Sequence, residues 1–215
     1  MTKKTREKSS PPRSYKLGLR QTTIDEKRQK IVEAARALIM SEQALAGFSV
    51  DAVAKQAGVA RATVYNQFSS KAGLLEALFD DLAQRGGMFE LATVFRKEEP
   101  LEALDELVRV FGRFWTTDRL LIRRLHGMNA LDKLMAAADA ARSDRRRQGL
   151  HKIIEKIKDK YNLTDGFGLG EPIEILQTMT SFEFFDQLAG AAQTPEEVVP
   201  VVQKMIRRLL KTDDL

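Results

Sequence analysis

The sequence predicts an all-α fold in two parts, an N-terminal helix-turn-helix domain and a larger helical domain behind it. Three observations lead there. Apolar residues fall at helical spacing in successive segments from Asp25 onward. Two short helical patterns meet at Gly58. The formal charge of +5 sits entirely at one end: residues 1–82 hold 14 Lys and Arg against 9 Asp and Glu, while residues 83–215 hold 21 of each. A basic segment beside a neutral one suits contact with a polyanion, and nucleic acid is the commonest. A solvated leader explains the same charge equally well.

The composition sets the limits. With 215 residues the chain has room for one small and one medium domain, and an apolar content of 43% supports a real core. There is no cysteine, which removes disulfides, thiolate metal sites and cysteine nucleophiles together. The charged N-terminus lacks the apolar stretch of a signal peptide, and no run of about 18 apolar residues is present, so a cytoplasmic protein is expected. The two histidines, His126 and His151, stand apart from any acid pair at catalytic spacing. Neither an enzyme, a metal nor a cofactor is expected.

Residues 1–24 are rich in Lys, Arg, Ser and Pro without hydrophobic period and read as a flexible basic arm. The DNA-binding domain is expected over 25–82 and the second domain over 83–215. Asp25 and Glu26 suit a first helical turn. Ile31, Ala34, Ala35, Leu38 and Ile39 form one apolar face that should end near Ser41. Gly47 breaks the run, and Phe48 is a core plug. Ser49 caps a short helix whose Val53, Ala54 and Ala57 face inward. Gly58 permits the positive φ of a tight turn. A second short helix, from Ala60 or Arg61 to Phe68, packs through Val59 and Val64. Its outer face shows Arg61, Ala62, Thr63, Tyr65, Asn66 and Gln67, short or hydrogen-bonding residues suited to base edges and phosphates. An ordinary helical hairpin with a polar face is the bland alternative. Ser69 or Ser70 caps the next helix, with Leu74, Leu75, Leu78 and Leu82 in its body. Lys71 in its first turn opposes the helix dipole, which makes sense where an anion docks.

The run from Gly47 to Leu82 resembles the N-terminal domain of the tetracycline-repressor family. The likeness is carried by Phe48, Ala57, Gly58, Val59, Thr63, Val64, Tyr65, Phe68, Ser70 and Lys71. The resemblance implies that Tyr65, Lys71 and Ser49 meet phosphates, that Thr63 and Asn66 lie at phosphates or base edges, and that Arg61 and Ala62 read bases. The sequence departs from the family pattern in three places. Ala60 replaces a polar cap, Ser69 stands where proline is common, and Gly73 should weaken its helix by roughly 1 kcal/mol relative to alanine.

The remainder reads as helix. Pro100 opens one with Leu104, Val108, Phe111 and Trp115 along a stripe that Leu107, Val110 and Phe114 widen. Leu120 to about Ala140 is a second apolar region, and Ser143 to Tyr161 a charged amphipathic helix in which Arg145, Arg146 and Arg147 read as a solvated face. Gly166, Gly168 and Gly170 form a loop. Pro172 opens a helix apolar on nearly every side, through Leu188. Thr194 and Glu197 make a capping box for the last helix. The resemblance implies a homodimer through these last two helices, operator DNA as partner, and a small-molecule effector. Phe111, Phe114, Trp115, His126, Met128, Met179, Phe182 and Phe185 are candidate ligand-binding residues, with Asn129, Gln177 and Thr180 as further polar groups, although aromatics at this spacing also serve as plain core. The expected function is a repressor released by its ligand, the alternative being a DNA-bound adaptor whose second domain binds a protein.

Overall fold

The computed structural model describes residues 13–41, 48–130, 132–161 and 171–211, and every regular element among them is helical. The first helix, α1 (Arg13–Met40), starts twelve residues before the expected Asp25, so residues 13–24 of the expected arm are helical. Residues 1–12, Gly47 and the glycine loop of 166–170 lie outside the described residues. The extension has a simple cause: a helix anchored by buried Ile31, Ala35 and Ile39 propagates backward at little cost, since nucleation has already been met.

The expected motif follows. Helix α2 (Val50–Ala57) begins at Ser49, whose hydroxyl accepts from the Ala52 amide, and ends at Gly58 with φ 65°. Helix α3 (Arg61–Phe68) starts at Ala60 without a side-chain cap. Helix α4 (Lys71–Arg85) is capped by Ser70, which accepts from the Gly73 amide. Phe48, Val53, Ala54, Ala57, Val64 and Phe68 are buried together with the apolar face of α1.

The junction of α3 and α4 explains two of the departures. Ser69 has φ 62°, which proline, fixed near −65°, cannot adopt. A positive φ costs a residue with a side chain about 1–3 kcal/mol. Ser69→Gly is therefore expected to stabilise the protein by about 1 kcal/mol after glycine's own entropy is set against that strain. A higher urea midpoint at unchanged slope would register it. Gly73 is not the weak point that helix propensity suggests. A Cβ there would fall deep inside the radius of the Phe68 carbonyl oxygen, so the junction closes this tightly only around a glycine.

A 3-10 turn (Met88–Glu90) and α5 (Leu91–Val94) lead to α6 (Pro100–Thr117), with Pro100 in its first turn. The region after Leu120 is two helices, α7 (Arg119–Asn129) and the start of α8 (Lys133–Tyr161), which runs on without a break through the expected charged helix. The helix expected from Pro172 through Leu188 is broken into α9 (Glu171–Met179) and α10 (Phe182–Ala189). The cause is polar. The indole of Trp115 donates to the Thr180 carbonyl at 3.2 Å, drawing it toward α6. Ser181 then caps α10 by accepting from Phe184. The predicted Thr194–Glu197 box is formed in both directions and precedes α11 (Val199–Leu209). Ile175, Leu188, Val201 and Met205 stay exposed, so α9 to α11 are not buried on every side within one chain.

The two cores are not divided at residue 82. Leu121, Leu125 and Met128 of α7 and Met135 of α8 belong to the core of the N-terminal helices. Polar contacts reinforce the seam. Arg36 of α1 pairs with Asp118 at 2.5 Å. Arg124 of α7 donates to the Ile39 and Ser41 carbonyls at 3.0 and 2.9 Å, satisfying acceptors that a helix end leaves open. The second core is built on α6, α8, α9, α10 and α11 around Phe111, Ile153, Phe185 and Val202.

Candidate nucleic-acid interface and ligand cavity

Helix α3 buries only Val64 and Phe68 of its eight residues. Arg61, Ala62, Tyr65 and Asn66 are exposed and Thr63 half-buried on its outer side, with half-buried Ser49 at the start of α2. Arg61 spans the face, donating to Asp51 at 3.1 Å and to the Tyr65 hydroxyl at 3.4 Å. Asp51, Arg61 and Tyr65 are all exposed, so these are loose surface contacts that an outside acceptor can replace at little cost. A residue missed in the sequence supports the helix from behind. Arg28 of α1 donates to the Gln67 carbonyl at 2.9 Å and lies 4.4 Å over the Phe68 ring, a cation at the end of the helix where the dipole favours one. Its signal was its place in the basic stretch, which gave no hint of its target.

Lys71 does have an anion beside it, and that anion belongs to the chain. Asp132, at the entry to α8, is in hydrogen-bonding contact with the Lys71 amine, while its other oxygen accepts from the Leu134 amide at 2.9 Å. The carboxylate is held below its usual range: burial opposes this, but the Lys71 bond and the α8 amides outweigh it.

Behind α4 lies a cavity of about 420 Å³, within the range that holds small molecules. Phe79 and Leu82 of α4, Phe111 and Trp115 of α6, Ile122 and Leu125 of α7, and Arg142, Arg145 and Arg146 of α8 contribute to its wall. Of the eight candidate ligand residues, Phe111, Phe114, Trp115 and His126 line it. The other four do not. Met128 is part of the N-terminal core, and Met179, Phe182 and Phe185 are buried in the second core. Helical spacing cannot tell a cavity wall from a filled interior. Asn129, Gln177 and Thr180 are likewise taken up in internal bonds, to Asp139, to Ser143 and to the Leu176 carbonyl. Arg146, expected in solvent, turns inward against the Phe111 ring, and Arg147 pairs with Glu174 at 2.5 Å.

His126 sits between two carboxylates, 2.5 Å from Glu183 and 3.5 Å from Asp139. Burial works against the charged ring, yet Glu183 and Asp139 together hold its pKa above the usual 6.5. The same bond holds Glu183 at about 2. A raised histidine stabilises fully below its unfolded pKa and ceases to do so as pH rises through its folded one. A lowered carboxylate acts the opposite way, losing its contribution only as pH falls below 4.5 toward 2. Melting temperature is thus expected to decline from pH 6 to pH 9 in the wild type, and the decline should shrink in His126→Gln.

A short helix, a left-handed glycine turn and a second short helix with a polar exposed face, on a helical body with an internal cavity, define a helix-turn-helix DNA-binding protein. Residues 31–78 match the model of the family described as bacterial regulatory proteins, tetR family. The match spans the helix-turn-helix and parts of the helices on either side of it, so this part of the chain is similar to tetR-family regulators. No curated protein matches the sequence. Solved structures show the same fold at low identity. A candidate fatty acid metabolism regulator from Clostridium perfringens is 15% identical, with a TM-score of 0.63 over 86% of this chain and 99% of its own. A TetR transcription regulator from Haloarcula marismortui is 17% identical, with a TM-score of 0.63 over 87% and 97%. A candidate TetR-family regulator from Mesorhizobium loti is 17% identical, with a TM-score of 0.60 over 87% and 96%.

Proposed function

We propose that this regulator is a repressor that binds a palindromic operator as a homodimer and is released by a small molecule held in the cavity. One observation carries the reading: the cavity and the DNA-binding helices share a wall. Leu125 belongs to the N-terminal core and also lines the cavity, and so does Leu82 of α4. A ligand that shifts α7 against α4 must therefore move the base on which α3 stands. In a dimer, such a shift changes the separation of two recognition helices that have to meet half-sites about 34 Å apart. The exposed Ile175, Leu188, Val201 and Met205 support pairing of the C-terminal helices of two chains. A partly open cavity with a mostly apolar wall favours a small effector over a protein partner, and a binder over an enzyme. The domain division at residues 82–83 is then functional, DNA contact on one side and ligand and partner on the other, in a protein of the bacterial cytoplasm.

On the DNA side, Tyr65 and Ser49 hold phosphates, Lys71 does so by exchanging Asp132 for one, Thr63 and Asn66 reach phosphates or base edges, and Arg61 and Ala62 face bases. Tyr65→Ala is expected to weaken binding to all duplexes by a similar factor. Arg61→Ala should relax the preference at one base pair by about 1–3 kcal/mol. Titration of both variants against the operator and single-base variants of it separates the roles. Wild-type affinity and specificity in both would remove α3 as the reading helix.

A further inference from the structure

The cavity's polar groups are unequally committed. Glu183 is bound to His126, Asp139 accepts from Asn129 at 3.0 Å, and both flank the His126 ring. Arg142 donates to Glu76 at 2.9 Å and to the Ala138 carbonyl at 2.8 Å, and stacks 3.6 Å over Phe79. Arg146 differs. Among the described residues its terminal nitrogen reaches only the Ser143 hydroxyl at 3.5 Å, and its Nε is buried with no hydrogen-bond partner. Its nearest face is the Phe111 ring, 5.8 Å from the guanidinium carbon. Burial holds this guanidinium below its usual pKa range, with only the more distant charges of Glu183 and Asp139 acting against that. A buried donor left without a partner destabilises the protein, more so when it is charged, and a ligand that bonds to it recovers that loss. Exposed Arg145 lines the same cavity.

Building on the effector reading above, we propose that the cavity takes an amphipathic organic acid. Its apolar body lies among Phe111, Phe114 and Trp115, and its carboxylate accepts from Arg146. A carboxylate presents two oxygens to a guanidinium edge, which a hydroxyl or an amine does not.

Trp115 is the only tryptophan in the chain, so its fluorescence reports on the cavity wall alone. The test titrates the full-length protein with octanoate and 1-naphthoate, each beside its neutral alcohol, and with octylamine. The expected result is at least tenfold tighter binding of one of the acids than of its alcohol, with the difference lost in Arg146→Met and partly kept in Arg146→Lys. An alcohol or the amine binding as tightly as the acids would overturn the acid assignment while leaving the effector reading intact. Acids that bind better in both wild type and Arg146→Met would overturn the role of Arg146. Failure of every compound would sink the acid proposal, and effector release would then be judged on a wider ligand set.

Discussion

Leu125→Ala is expected to cost about 2–5 kcal/mol of stability. The side chain is 2% exposed and completes the core beneath α1 and α4 from α7, while also lining the cavity. Its removal leaves a void against an existing space, which the surroundings collapse into only partly. Urea unfolding should show the loss as a lower midpoint. The functional consequence is more specific. With the shared wall thinned, the effector should release DNA less completely in Leu125→Ala than in the wild type, at equal effector occupancy. A variant that loses stability but keeps full release would show that the coupling runs elsewhere, for which the Arg36–Asp118 and Arg124–Ile39 contacts are the next routes.

The second large effect runs against helix propensity. Gly73→Ala exchanges the second-worst helix former for the best, a change worth about 1 kcal/mol in favour of alanine at an exposed interior site. Here a Cβ tilts back toward the helix start and meets the Phe68 carbonyl oxygen, a backbone atom that cannot rotate away. We expect a net loss of about 1–3 kcal/mol. Because relief requires α4 to move away from the end of α3, the displacement carries Ser70 and Lys71 with it. DNA affinity should fall further than the drop in folded fraction explains. Binding measured well below the melting temperature, beside the unfolding curve, separates the two. A stabilised variant with unchanged affinity would mean that the junction is looser than described.

The N-terminal motif was legible because each of its parts is a local rule. Gly58, Ser49, Ser70 and the apolar spacing of α1 to α4 decide their own short stretch of chain, and the structure agrees at each. What escaped depended on partners far along the chain. The start of α1 at Arg13 follows from anchoring by later residues. The break between α9 and α10 follows from an indole sixty-five positions away. Lys71 was expected to face an outside anion, a DNA phosphate; the structure sets Asp132 beside it, and nothing local pointed to that residue. The cavity was half legible. Phe111, Phe114, Trp115 and His126 line it, whereas Met179, Phe182 and Phe185 share their periodicity and are core. Arg146 was misread as a solvated residue because helix position reveals a face, not what a second helix places against it.

In the function proposed above, this fold reads a defined, two-fold operator. Selection of bound DNA from a random duplex pool, with binding repeated at two salt concentrations, tests it most directly. The expected result is a palindrome whose half-sites lie about one helical turn or slightly more apart, bound at both salt concentrations. Recovery of no motif, with binding that vanishes at the higher salt, would mean that only the basic N-terminal charge acts on DNA and that α3 reads no operator.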